Sequence, residues 1–261
     1  MVQSIPVDVQ QLAGAYQLGA PLEEYRFKPI RAIFASIFFL LLGVGFIAFI
    51  VATGSLTTSL NGDTFKFLLF IVLGLFMVGV GVWSGITVFR DMSLRVIICA
   101  DGLLRVKRNQ VEIIRWDQVE AMWQAVTKRY VNGVYTGTTH LYTVRRADGA
   151  TFKFNDNIRH VEALGNSIQR EVTRKLLPHV ISAYNMGSTV TFGTLSVNQQ
   201  GISNSKEILP WDQFNGIQVN RGIVTVKKEG KWLNWSAVRV PKIPNFYVFM
   251  ALVDYAAKGR R

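Results

Sequence analysis

The chain has 261 residues, with 29 basic against 17 acidic side chains, a net charge of +12 and a single cysteine, Cys99. One thiol excludes an intrachain disulfide and a multi-cysteine metal site, and it suits a reducing compartment. Residues 1–94 hold five basic and five acidic side chains, which leaves 24 basic and 12 acidic ones, and so the whole excess, to the remainder. Such a basic segment attracts anionic lipid and nucleic acid alike, and it also acts as a topology signal.

In chain order, residues 1–31 read as a cytoplasmic N-terminal segment. From Ala32 to Ala52 there is neither charge nor proline, and at about 1.5 Å per residue the run spans roughly the 30 Å core of a bilayer. A second uncharged run extends from Phe67 to Phe89. The first run starts too late, is too long and lacks the small-residue cleavage pattern of a signal peptide. Residues 53–66 between them are short and polar, with a turn at Asn61-Gly62. The pattern predicts a transmembrane helical hairpin over 32–90, its helices at about 32–52 and 67–89. Arg26, Lys28 and Arg31 precede it, and Arg90, Arg95, Arg105, Lys107 and Arg108 follow it. The connection offers only Lys66, offset by Asp63. The positive-inside rule then puts both termini in the cytoplasm of a multi-pass protein of the plasma membrane. Gly74, Gly81 and Gly85 share one side of the second helix, a small-residue face expected to pack on the first helix through Gly43 or Gly45, with homodimerisation as the alternative.

After Asp91 the period changes to two. Segments 94–100, 103–108 and 111–116 read as short strands with turns at Asp101-Gly102 and Asn109-Gln110. A fourth follows over 119–127, and breaks are expected at Asn132-Gly133 and Thr136-Gly137. Strands at 140–146 and 151–154 flank Asp148-Gly149, a hairpin signal. Ile158, Val161, Leu164, Ile168, Val172 and Leu176 then recur at helical spacing, with Asn157 as N-cap and Pro178 as an end or kink before a short stretch to Tyr184. The same order returns. Strands are expected at 189–192, 195–197, 207–209, 214–219, 223–226 and 231–240, with a turn at Gly201. A closing helix over 244–257 carries Phe246, Phe249, Leu252, Val253 and Ala256 on one side.

Trp116-Asp117-Gln118 and Trp211-Asp212-Gln213 stand ninety-five residues apart, each preceded by an apolar strand. With a glycine turn upstream and a helix closing each half, a duplication is the reading, with repeats at 91–186 and 187–261. Several strands and one amphipathic helix suit a small barrel or bent sandwich plugged by that helix. The repeated triplet reads as a structural motif, a packed tryptophan beside an aspartate that satisfies nearby backbone N–H groups, with a ligand site as the alternative.

Arg115-Trp116-Asp117-Gln118-Val119, the stretch from Gly137 to Tyr142, Ile168-Gln169-Arg170-Glu171-Val172 and Leu209-Pro210-Trp211 resemble a bacterial family of two-helix membrane proteins built on a domain of unknown function. The repeats themselves resemble bacterial pleckstrin-homology-like modules. The resemblance covers most of the chain and implies an α+β membrane protein, a transmembrane hairpin followed by two tandem pleckstrin-homology-like repeats. It implies a binding or scaffolding role and carries no catalytic residue.

The residues themselves offer little chemistry. His140, His160 and His179 lack partners at metal-ligand spacing, and phosphate-loop and hydrolase motifs are absent. Cys99 reads as a small core residue. No catalytic residue, metal or cofactor is therefore expected. Arg105, Lys107 and Arg108, nearest the membrane, are the candidate contacts for anionic lipid. The aromatic-basic stretch Lys231-Trp232-Leu233-Asn234-Trp235 suits a lipid interface, stacked bases or a half-buried strand equally. The expectation is a non-enzymatic, cytoplasm-facing interaction module with membrane, lipid or protein partners rather than nucleic acid. The alternative is a subunit or regulator of a larger membrane complex, and behind it stands an enzyme with an unrecognised site.

Overall fold

Long apolar runs and short alternating ones sort into two kinds of element in a computed structural model, which describes residues 7–61, 64–108 and 110–259. Gly62, Asp63 and Asn109, all used in the sequence reading, lie outside the described residues, as do the side chains of Arg31 and Lys66. The chain is mixed α and β, with two long apolar helices near the N-terminus and several antiparallel sheets. It divides into two compact units. One holds residues 1–25, 96–105 and 112–261; the other holds 26–95 and 106–111.

The smaller unit is dominated by helices α2 (Ile30–Asn61) and α3 (Thr64–Asp91). The polar residues 53–61, expected as a loop, continue α2 instead, since the segment contains no proline and each turn extends one already formed. Over their most apolar stretches, only 17% of α2 and 11% of α3 is buried within the protein. Phe34, Leu41, Phe76 and Phe89 stand exposed.

In the larger unit, α1 (Val7–Ala15) and β1 (Pro21–Arg26) come before the helices. The sequence reading had no element there, because Pro21-Leu22-Glu23-Glu24-Tyr25 is too polar to read as a strand. β1 nevertheless completes a four-stranded sheet in the order β1-β2-β3-β4, with β2 (Arg95–Cys99), β3 (Gly102–Lys107) and β4 (Gln110–Arg115). Backbone bonds from Ala100 N to Ala20 O (3.1 Å) and Asp101 N to Leu18 O (3.0 Å) hold the entry to β1. Glu23 on β1 accepts from Tyr25 Oη (2.5 Å) and from Ser167 Oγ of the helix that closes this half (2.7 Å).

A second sheet follows, β5 (Val119–Val131), β6 (Val134–Arg146) and β7 (Thr151–Asn155), and then helix α4 (Val161–Asn185). The expected break at Gly137 is a register shift inside a continuous pair of strands: Arg129 faces Gly137 and Tyr130 faces Tyr135. Gly137 takes φ 148°, which a bulge tolerates without ending the strand. Helix α4 runs through Pro178 without stopping. Its first residue follows His160 in a left-handed conformation, while Asn157 bonds back to Asn155 instead of capping. Val161, Leu164, Ile168 and Val172 line its buried face as their spacing predicts. Burial of each is worth about 1.5–3 kcal/mol.

The second half repeats this order. β8 (Val190–Phe192), β9 (Leu195–Val197), β10 (Gly201–Ser203) and β11 (Ile208–Pro210) form a four-stranded sheet. β12 (Phe214–Asn220), β13 (Ile223–Lys228) and β14 (Asn234–Arg239) form a three-stranded one, and α5 (Phe246–Lys258) closes the half. Gly201, expected in a turn, opens β10, because a Cβ there would collide with the Leu209 carbonyl of the neighbouring strand. Phe246, Phe249, Leu252, Val253 and Ala256 are buried on one face of α5, as expected.

Gly165 on α4 lies directly against the Tyr142 ring, where a Cβ has no room. Gly165→Ala should destabilise the larger unit by about 1–3 kcal/mol through overpacking. Denaturant titration of the purified full chain measures this, and the added change Tyr142→Leu should recover part of the loss by making room.

Candidate functional site

Each Trp-Asp-Gln triplet forms one turn of 3-10 helix between the four-stranded and three-stranded sheets of its half. A buried indole must spend its N–H on an acceptor. Trp116 Nε1 donates to Cys99 O at 3.1 Å, and Trp211 Nε1 donates to Asn198 O at 3.0 Å. The backbone repeats the match. Trp116 N donates to Asp101 O (3.1 Å) and Trp211 N to Gln200 O (3.3 Å). Gln118 O accepts from Ala147 N (2.8 Å), Gln213 O from Glu229 N (2.7 Å). The two triplets thus fasten each sheet corner to a turn of either sheet. Asp117 departs from expectation: its exposed carboxylate pairs with Arg115 Nε at 3.6 Å rather than with the backbone. Asp212 makes no side-chain bond or ion pair among the described residues.

The three cations proposed for lipid differ in state. Arg105 sits 3.1 Å from Glu112 and is mostly covered, and Lys107 Nζ lies 2.7 Å from Asp91 Oδ1. Arg108 takes φ 58° at the end of β3, its N–H donating to Ser93 Oγ at 2.9 Å, and its guanidinium has no ion pair among the described residues. Lys107 and Arg108 belong to the same compact unit as α2 and α3.

Of the glycines expected to form a packing face on α3, Gly74 and Gly81 meet α2. A Cβ on Gly74 would collide with Ile47, and one on Gly81 would stand 2.8 Å from Leu40 Cγ. Gly43 answers from α2, where a Cβ would be 2.9 Å from Val78 N. Gly85 and Gly45 have nothing within 4 Å. Ser36 Oγ donates to Ser84 Oγ across the same contact (2.9 Å).

A joint that no motif announced lies in the larger unit. Asn245, just before α5, has φ 52° and lines up along β5 of the first half. Its N–H donates to Met122 O (2.8 Å), its Oδ1 accepts from Met122 N (2.8 Å) and its Nδ2 donates to Glu120 O (2.9 Å). One side chain thus satisfies an edge strand of the other half, as a further strand would. Gln124 and Gln169 bond to each other in the shallow cleft beside it, which Met122, Val172, Thr173 and Asn245 also line. An asparagine ahead of a helix reads as an N-cap, and that signal points to the wrong bond here.

Two of the side chains weighed for chemistry, His140 and Cys99, are tied up or buried. His140 Nδ1 lies 3.0 Å from Asp156 Oδ1, while its backbone N–H donates to Asp156 Oδ2 (2.9 Å). Burial pushes the Cys99 thiol up to about 11, away from thiolate chemistry at neutral pH. Among the described residues no three His, Cys, Asp or Glu side chains are grouped to hold a metal. The exposed Asp148 carboxyl is held down to about 2 by its bond to Arg146. Trp232 is 98% exposed and Leu233 is 76% exposed, so of the strand expected over 231–240 the first three residues stay outside and β14 begins at Asn234, with Trp235 inside it.

With these features in place, the chain belongs to a family of unknown function, DUF6585, which it matches over residues 1–261. No curated protein matches it.

Asn245→Ala removes two bonds, strands Met122 N–H and asks alanine to hold a left-handed backbone. It should cost about 1–3 kcal/mol and raise protease cleavage near Met186-Gly187. Asn245→Gly relieves only the backbone and should fall between the two. Burial raises Tyr25 and Tyr142 from 10.0 to about 12, with Glu23 adding to the effect on Tyr25. Their contribution to stability is whole below the unfolded value near 10 and is lost as the pH climbs through about 12. Ultraviolet difference spectra of Tyr25→Phe and Tyr142→Phe should therefore show the missing phenolate signal only near the top of that range.

Proposed function

We propose that α2 and α3 anchor the chain in a bacterial inner membrane, and that the larger unit is a non-enzymatic interaction platform of two pleckstrin-homology-like repeats facing the cytoplasm. The observation that carries the anchor is the exposure of both helices: a soluble core helix buries its apolar surface, and these bury under a fifth of theirs. The flanking cations, Lys28 and Arg90 among them, put both termini on the cytoplasmic side by the positive-inside rule. Two successive series of four strands, three strands and a closing helix, each with its tryptophan corner, support duplicated pleckstrin-homology-like modules.

Anionic lipid is the ligand class for Arg105, Lys107 and Arg108. Arg105 and Lys107 are already offset by Glu112 and Asp91, so Arg108 carries the free charge of the three. A second reading, a subunit of a larger membrane complex, draws support from Gly79 and Gly85, which leave part of α3 uncovered.

The anchor predicts that the full chain resists extraction from membranes by alkaline carbonate and yields only to detergent; release by carbonate would end this reading. The lipid part predicts that Arg108→Gln strips co-purifying anionic lipid from the solubilised full chain more than Arg105→Gln does, as read by native mass spectrometry. Equal retention by both variants would count against it. Crosslinking in native membranes that recovers only single chains would dispose of the complex.

A further inference from the structure

The β5–β6 ribbon outruns its own sheet. β7 pairs with β6 only between Leu141 and Arg145, whereas β5 and β6 stay paired from there out to Val131 and Val134. Beyond Leu141 the ribbon is therefore two-stranded. Asn132 at φ 49° and Gly133 at φ 80° close it with the left-handed pair that a tight hairpin turn needs, so the tip is pre-formed.

The tip is apolar on both faces. Tyr130 and Tyr135 face each other across the strands, ring centroids 5.9 Å apart, and the next pair outward is Val131 with Val134. Successive pairs point to opposite faces of a ribbon, so one face shows tyrosines and the other valines. All four side chains are more than half exposed. Lys128 and Arg129 sit immediately behind them, exposed and without ion pairs among the described residues. No acidic residue occurs between Ala121 and Ala147.

We propose that this tip is a membrane wedge: Tyr130, Val131, Val134 and Tyr135 enter the interfacial layer of an anionic bilayer while Lys128 and Arg129 meet its phosphates. Two lines decide for lipid. At about 3.3 Å per residue the cations stand roughly 7–10 Å behind the outermost pair, Val131 and Val134, the depth to which interfacial segments sink below the headgroups. A protein groove would receive one apolar face and leave the other wet, whereas the boundary of a bilayer surrounds both. Tyrosine is suited to that boundary, apolar in its ring and polar at its tip. The inference rests on the reading that α2 and α3 lie in a bilayer, because that tether supplies the ribbon with a high effective concentration of the same surface.

The test uses the full chain in proteoliposomes, with an environment-sensitive thiol dye on Val131→Cys and nitroxide groups on the lipid acyl chains. Cys99 is buried and does not compete for the dye. A separate Val51→Cys reports on α2. Position 131 should be quenched in vesicles containing phosphatidylglycerol and much less in pure phosphatidylcholine. Lys128→Glu with Arg129→Glu should lower the ratio of inserted to free tip about tenfold or more. Quenching at 51 but none at 131 in either lipid would overturn the wedge and leave the anchor intact. Loss of quenching at both positions would overturn both. A dye at 131 shielded from aqueous iodide yet not quenched by lipid would mean burial against protein, which equally overturns the wedge.

Discussion

An indole that goes into a core cannot leave its N–H behind, and in each half of this protein that constraint sets the corner between two sheets. Trp116 and Trp211 are placed where the chain leaves one sheet and enters the next; Trp116 finds the carbonyl of Cys99 at the end of β2, and Trp211 that of Asn198 just past β9. An indole N–H buried without a partner would cost a few kcal/mol. The direction of the turn out of β4 and β11 is therefore narrowly fixed. Once it is fixed, the three following strands face the same interior, and α4 or α5 has a single open side to close. The cores are correspondingly distinct, one around Trp116, Tyr142 and Phe154, the other around Trp211, Val226 and Phe249.

What fuses the halves is a different kind of bond. Asn245 reads two backbone groups of Met122 and one of Glu120, so the edge of β5 near its start meets the second half rather than water. Because the contact is to backbone, it places little demand on the side chains of β5. That freedom matches the outer part of the strand, where Lys128, Tyr130 and Val131 are spent on the surface instead of the core.

Much of this was legible in the residues. The helical periods of α4 and α5, the turns at Asn132-Gly133 and Asp148-Gly149, and the repeated triplet all follow from local chemistry, and local chemistry is what a sequence displays. The failures have a common cause as well. β1 is polar because Glu23 finds Ser167 from a helix more than a hundred residues on, and Gly201 is a strand residue because a carbonyl lies against it. Pro178 fits inside α4, against the expectation of an end or a kink there. β1 depends on a partner remote in sequence and Gly201 on the neighbouring strand, and such partners leave no periodicity. The candidate surfaces were half legible: the cations were visible, but which of them are neutralised by Glu112 and Asp91 was not.

In the second half β8 turns into β9 across Gly193 and Thr194; in the first half the whole apolar hairpin stands between β1 and β2. This makes the sheet a record of the order of synthesis. β1 leaves the ribosome before α2 and α3 have been made, and at about 5–20 residues per second it waits several seconds for its neighbour in the sheet. Its polar sequence keeps it soluble during that wait. The first four-stranded sheet can close only after the hairpin has been completed and the chain has come back, so a finished first half certifies that both helices were made and turned.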